Sequence, residues 1–146
     1  MQGDRSQLRP FSAILNLESG IAQFIQTIER YDVKLYAPEM LKVEIQRHHR
    51  RLISISKLTS DEVTYARDRL YKFIEFIDDD AIPFDQYVQA MRIVRDIDPD
   101  DVNFVALNDY MKEILWTGDM ELYYGLKKKG YKNVVIFEDI KKKYNL

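Results

Sequence analysis

The sequence contains no cysteine among its 146 residues. This absence excludes a disulfide framework, a thiolate metal site and a cysteine nucleophile, and it makes a reducing cytoplasm the expected compartment. No uncharged apolar run approaches the roughly 20 residues that a membrane-spanning helix needs. The first ten residues, MQGDRSQLRP, contain no hydrophobic segment of the signal-peptide type. We therefore expect neither a membrane protein nor a small secreted protein.

A large excess of charge of either sign is also missing, because the formal net charge is only −2. The distribution along the chain is uneven, however. Residues 75–121 carry 13 acidic and 3 basic side chains, whereas residues 122–146 carry 2 acidic and 7 basic ones. Carboxylates crowded in this way repel one another unless they are solvated, paired or neutralised by a cation. The acidic segment between basic flanks is therefore the feature that a function has to explain.

The content of apolar residues predicts one folded domain. Hydrophobic residues make up 46% of the chain, which is enough for a single substantial core. The spacing of these residues predicts helices over 18–30, from Pro38 to about 56, 59–77, 87–94, 104–111, 122–126 and a lysine-rich stretch at the C-terminus. Short apolar runs predict strands over 33–37, 114–117 and 133–137.

The alternation of strands and helices predicts an α/β layered fold with a mainly parallel sheet. Ligands of such sheets bind beyond the carboxyl ends of the strands. Asp119 comes just after the strand predicted at 114–117, and Glu44 follows the strand at 33–37 within two helical turns. We therefore expect these two carboxylates at the same edge of the sheet.

Three segments carry acidic residues at characteristic places. Tyr36–Ile45 contains Glu44 on a helix after a strand, Asp98–Leu107 opens a helix with aspartates, and Leu115–Asp119 ends a strand with Trp-Thr-Gly-Asp. This pattern resembles the PIN-domain family, a family of metal-dependent nucleases that includes the VapC-type toxins of toxin–antitoxin pairs. The resemblance extends from about Phe11 to the C-terminus. It implies a three-layer PIN-like domain over residues 11–146, preceded by a polar extension at residues 1–10.

The resemblance also implies a cluster of acids that binds Mg²⁺ or Mn²⁺ and activates water against an RNA phosphodiester. The residues that match the family's metal ligands are Glu44, Asp101 and Asp119, with Asp98 as an additional acid. Thr117 matches the hydroxyl residue that orients the last acid. RNA, an antitoxin protein and a second copy of the chain are the partners that the resemblance implies. We interpret Asp100 as a helix cap, and the run 78–80 as a solvated loop.

One part of the family pattern is absent from the sequence. The first strand of PIN domains ends in Asp-Thr-Asn, but a count without gaps places Ser6, Gln7 and Leu8 there. Asp4 would match only after a shift of two residues. The polar N-terminus predicts no strand, so we expect the first strand to be missing or degenerate. The chain is then an active ribonuclease, a binding module that has lost hydrolysis, or a product that starts downstream of the true start.

Basic residues cluster in the helix that carries Glu44. Arg47, Arg50 and Arg51 belong to the run QRHHRR, which would contact RNA phosphates near the site. The alternative is a solvated basic helix face. We interpret the lysine runs 127–129 and 141–143 as solvated helix faces as well.

Overall fold

The structure, a computed structural model, describes residues 4–6, 35–47, 49–56 and 58–145. Within these residues there are five strands: β1 (Asp4–Ser6), β2 (Leu35–Pro38), β3 (Ile74–Ile77), β4 (Ile114–Trp116) and β5 (Val134–Val135). The helices of the same residues are α1 (Met40–Arg47), α2 (His49–Ser56), α3 (Ser60–Tyr71), α4 (Phe84–Val94), α5 (Val102–Met111), α6 (Met120–Lys128) and α7 (Phe137–Tyr144). Short 3₁₀ turns cover Asp79–Ala81 and Pro99–Asp101.

The five strands form one sheet in the order β3-β2-β1-β4-β5, and all four pairings are parallel. The carboxyl ends of the strands therefore lie along the same edge of the sheet. This arrangement confirms the predicted α/β class with a parallel sheet.

The first strand, expected to be missing or degenerate, is present, although the polar N-terminus predicted no strand. β1 lies at the centre of the sheet, where Asp4 pairs with Leu35 on one side and Ile114 on the other. Ser6 ends β1 and pairs with Trp116. The strand is short and polar, as a degenerate strand would be. Hydrophobic alternation could not predict it, because backbone pairing with both neighbours defines this strand.

Two other elements differ from the sequence-based prediction. The helix predicted over 59–77 ends at Tyr71, and Ile74–Ile77 forms β3. The residues of β3 pair with Leu35–Pro38 of β2. Periodicity cannot distinguish a strand from a helix in so short an apolar run, and here the sheet pairing determines the strand. Pro38 accordingly closes β2, and α1 begins only at Met40.

The predicted strand at 133–137 is also shorter, because α7 begins at Phe137. The helix predicted over 18–30, the boundary at residue 10 and the positions of Gln7 and Leu8 lie outside the described residues.

The core lies between the sheet and the helices that cover it. α5 contributes most to it, because four consecutive apolar residues, Phe104–Leu107, are buried. Leu35, Leu115 and Trp116 are buried on the strands that α5 contacts. Burial of such side chains stabilises the fold by about 1.5–3 kcal/mol each. Among the described helices, none has the length and apolar character that crossing a bilayer requires.

Candidate metal centre

Asp119 is fixed at the carboxyl edge of the sheet by its role as the cap of α6. It follows β4 after two residues, and its Oδ1 accepts hydrogen bonds from the N–H groups of Glu121 (3.0 Å) and Leu122 (3.3 Å). A carboxylate in this position satisfies otherwise unpaired helix donors and interacts favourably with the helix dipole. The side chain is buried, with 7% of its surface exposed.

Thr117 holds the backbone of Asp119. The hydroxyl oxygen of Thr117 accepts a hydrogen bond from the Asp119 N–H at 2.9 Å, and Thr117 is fully buried. This contact fixes the turn between β4 and α6. The contact positions the backbone that carries the Asp119 carboxylate. A contribution of Thr117 to a reaction stays a prediction.

Asp98 caps the 3₁₀ turn that precedes α5, and Asp101 is the last residue of this turn. Oδ1 of Asp98 accepts a hydrogen bond from the Asp100 N–H (3.0 Å), and the backbone carbonyl of Asp98 accepts one from the Asp101 N–H (3.1 Å). Asp101 directly precedes α5 but makes no side-chain cap to it. Asp101 is buried, whereas Asp100 is exposed. Asp98 caps the turn and Asp101 stands at the cap position of α5, so the interpretation of Asp100 as a helix cap is wrong.

The structure brings Asp98, Asp101 and Asp119 together. One carboxylate oxygen from each residue lies within 4.8 Å of those of the other two. Two unit negative charges at this distance repel by about 3 kcal/mol at the effective dielectric of about 20 that suits protein sites. A bound cation would turn this repulsion into attraction, which gives the site a physical reason to bind one.

The donor set of the cluster fits a magnesium-like ion. Carboxylate oxygens are the ligands that Mg²⁺ and Mn²⁺ prefer, whereas soft metals prefer sulfur. Opposite ligands of one Mg²⁺ are separated by about 4.1 Å, twice the metal–oxygen distance. Of three ligands only one pair can be opposite, so oxygens that lie within 4.8 Å of one another would move closer together around a bound ion.

The other predicted site residues lie outside this three-residue cluster. Glu44 is partly buried on α1. The start of α1 contacts the start of α5, because the Asn103 side-chain amide donates to Met40 Sδ at 2.7 Å. Arg47 ends α1 and Arg50 lies on α2, and both are exposed. Arg51 also lies on α2.

Sequence reasoning did not single out Asn103 or the buried Asn108. The Asn108 amide donates to the Tyr131 hydroxyl (2.7 Å), which itself donates to Asp109 Oδ1 (2.6 Å). This network ties the end of α5 to the segment before β5. A polar residue inside the apolar run FVALN was the signal that could have revealed Asn108.

A second group of acids surrounds the 3₁₀ turn after β3. Asp78 caps this turn through Asp80 N–H (2.9 Å), and both side chains are exposed, in line with a solvated loop. Asp79 is half-buried, and burial raises the pKa of its carboxyl, with Asp78, Glu39 and Asp80 adding to the effect. The Tyr87 hydroxyl donates to the Asp79 carbonyl (2.8 Å).

Fold and site together define an α/β domain with an acidic cluster beyond the carboxyl edge of a parallel sheet. The sequence pattern of the PIN domain matches residues 11–138. The chain belongs to the PIN-domain family. Domains of this family generally depend on a divalent metal and bind nucleic acid.

A solved structure has the same fold. The crystal structure of PAE2754 from Pyrobaculum aerophilum is similar with a TM-score of 0.63, covering 96% of this chain and 95% of that one. At 12% sequence identity, this similarity concerns the fold alone. No curated protein matches the sequence.

Proposed function

We propose that the protein is an endoribonuclease that depends on Mg²⁺ or Mn²⁺. The observation that carries this proposal is the convergence of three carboxylates, two of them buried, at the carboxyl edge of the sheet. Membership of a family that binds nucleic acid and metal supports the substrate class. The toxin component of a toxin–antitoxin pair is the physiological setting that we propose with it.

Asp98, Asp101 and Asp119 would hold the metal ion, with Glu44 as a further ligand from α1. The bound ion would polarise the scissile phosphate and lower the pKa of water at the site. Asp119 would offer the cation a carboxylate whose Oδ1 also caps α6. Thr117 keeps this carboxylate in place through the backbone of Asp119.

The arginines of α1 and α2 would bind the substrate rather than react with it. Arg47 and Arg50 are exposed, and guanidinium groups neutralise phosphates without reading the base sequence. Together with Arg51 they would supply affinity for the RNA backbone.

A cleavage assay with a titration of Mg²⁺ or Mn²⁺ tests the proposal. Asp101→Asn and Asp119→Asn should each lower the cleavage rate at least about 100-fold, because even indirect partners of metal ligands are worth about 10–100-fold. Asp100→Asn is the matched control, since Asp100 is exposed in the same turn and lies outside the cluster. Cleavage that survives Asp119→Asn, or that needs no metal, would overturn the assignment.

The setting as a toxin has its own test in cells. Induced expression of the wild-type chain should arrest growth, and Asp119→Asn should relieve this arrest at an equal protein level. Growth arrest by both proteins would argue against a toxicity that arises from hydrolysis.

The second candidate is a binding module that has lost hydrolysis, and the position of β1 favours it. β1 ends at Ser6, whereas Asp4 begins the strand, about 7 Å away along its axis. Asp4, the acid of β1, therefore lies two residues before the carboxyl edge of the sheet, where the cluster lies. Binding of Mn²⁺ and RNA by this protein, without RNA cleavage in the presence of either Mg²⁺ or Mn²⁺, would identify this second function.

A further inference from the structure

One face of α6 combines exposed lysines with an exposed aromatic ring. Met120, Tyr124, Lys127 and Lys128 share this face because they are spaced close to whole turns of the helix. Met120 is 41% exposed, Tyr124 is 64% exposed, and both lysines are exposed. The opposite face is fixed against the core, since Leu122 and Leu126 are fully buried. The exposed face is therefore defined by packing on the other side of the helix.

The charge of this part of the chain suits a polyanion. From Met120 to Lys132 there are four lysines and a single acidic residue, Glu121. Lys129 has a structural role, because its ammonium group donates to the Ile93 carbonyl (2.6 Å) and pairs with Asp96. Lys127 lies over the Tyr123 ring at 5.6 Å. The positive charge that faces solvent on α6 comes from Lys127 and Lys128.

The Tyr124 ring is oriented while most of its surface is exposed. It contacts Tyr123 edge to face, with ring centroids 5.3 Å apart and an interplanar angle of 68°. Tyr123 is held in turn, since its hydroxyl donates to Asp139 Oδ2 at 3.4 Å. Favourable charge at a helix C-terminus explains the lysines alone, but it does not explain an exposed aromatic ring. Exposed rings beside cationic side chains are typical of surfaces that bind single-stranded nucleic acid.

The face begins at the acidic cluster. α6 starts directly after Asp119, so Tyr124 lies about 7 Å and Lys127 about 12 Å further along the helix axis. We propose that this face binds single-stranded RNA that leads away from the cluster, with Tyr124 stacked on a base and both lysines on phosphates. The inference rests on the proposed function, because it names the form of the substrate and where it lies.

A similar pair on α3 provides the matched control. Tyr65 is 66% exposed, and the Arg69 guanidinium lies 5.9 Å from its ring centroid. The sequence of α3 contains three acidic and two basic residues, so its surface does not favour a polyanion. α3 also packs against β3, at the edge of the sheet opposite to β5.

Binding of a fluorescent single-stranded RNA 12-mer, measured by anisotropy in EDTA, tests the inference without cleavage. Tyr124→Ala should weaken binding about tenfold, the effect of losing one stacked base. Tyr124→Phe should bind like the wild type, and Tyr65→Ala should bind like the wild type as well. The same sequence as duplex RNA should bind more weakly, because its bases are not available for stacking.

The lysines are tested by the salt dependence of binding. Lys127→Gln combined with Lys128→Gln should reduce the slope of log K against log salt by about 1.4, since each phosphate contact on a single strand contributes about 0.7. Arg69→Gln should leave this slope unchanged. Three results would overturn the inference. The wild type does not bind the RNA, Tyr124→Ala binds it as tightly as the wild type, or Tyr65→Ala loses as much affinity as Tyr124→Ala.

The outcome is separable from that of the proposed function. Loss of binding in the α6 variants together with a wild type that never cleaves RNA would refute hydrolysis and keep this surface. Normal binding by the α6 variants together with metal-dependent cleavage would refute this surface and keep hydrolysis. Thermal denaturation of each variant checks that the fold is retained, which is expected because the substituted side chains are exposed.

Discussion

Removing one charge from the acidic cluster should stabilise the metal-free protein. Asp119→Asn keeps the size of the side chain and an oxygen that can accept the hydrogen bonds from Glu121 and Leu122. Asparagine and aspartate are comparable as helix caps. The substitution therefore removes mainly the repulsion between Asp119 and the two other carboxylates of the cluster.

The magnitude follows from the geometry of the cluster. Each of the two repulsions that involve Asp119 is worth about 3 kcal/mol at a distance of 4.8 Å and an effective dielectric of about 20. Partial exposure of Asp98 and relaxation of the side chains reduce this figure, and loss of the interaction with the helix dipole costs about 0.3–1 kcal/mol. We expect a net stabilisation of at least about 1 kcal/mol in the absence of metal, which raises Tm by at least about 3 °C.

Thermal denaturation with and without metal provides the assay. In EDTA, Asp119→Asn should melt above the wild type. In excess Mn²⁺ the order should reverse, because binding at 100 times Kd stabilises the wild type by about 2.7 kcal/mol and the variant by less. Asp100→Asn is the control, because Asp100 neighbours Asp101 but lies outside the cluster. This variant should follow the wild type in both conditions. A variant that is less stable than the wild type in EDTA would refute the reasoning.

Three further predictions concern the supports of the site and the fold. Thr117→Val removes the acceptor of the buried Asp119 N–H and should cost about 1–3 kcal/mol in urea denaturation, with Thr117→Ser close to the wild type; equal losses in both variants would contradict this. Burial, with nearby aspartates adding to it, raises the pKa of Tyr87 to about 12. The folded protein then keeps a proton that the unfolded chain loses above pH 10, so the free energy of unfolding should fall from pH 10 to 12. The fall should be smaller in Tyr87→Phe. Parallel curves of stability against pH for the two proteins would exclude this role of Tyr87. A Cβ on Gly125 would lie 2.7 Å from Ile97 Cδ1, so Gly125→Ala should destabilise the protein by about 1 kcal/mol in thermal denaturation. In an Ile97→Ala background the same substitution should cost nothing, because the contacted side chain is gone. An unchanged loss of stability in that background would place the strain elsewhere.

The part of the site that could be predicted from the sequence is the part that local signals define. Asp119 stands at the end of an apolar strand, and Asp98 and Asp101 stand at the entry of a helix. In a parallel sheet these two kinds of position meet at one edge, so the topology alone brings the acids near one another. The resemblance to PIN domains selected the same three residues, together with Glu44 and Thr117, which are not members of the cluster.

The parts that could not be predicted depend on contacts between distant segments. Ile74–Ile77 continues the helical spacing of α3, and only pairing with β2 makes it a strand. The contact of Asn103 with Met40 joins residues 63 positions apart and has no local signature. Whether Glu44 joins the ligand set depends in the same way on how α1 packs on α5, which periodicity cannot specify.

The pairing of β1 has a consequence for how the chain is synthesised. β1 is synthesised before the other described strands of the sheet, and its partner β4 follows about 110 residues later, the separation between the paired residues Asp4 and Ile114. At a synthesis rate of about 5–20 residues per second, β1 waits about 5–20 s for that partner. The edge of β1 that β4 covers stays exposed during this time, and exposed strand edges are templates for pairing with other chains. Asp-Arg-Ser carries two charges in three residues, and charged residues on such an edge disfavour that pairing.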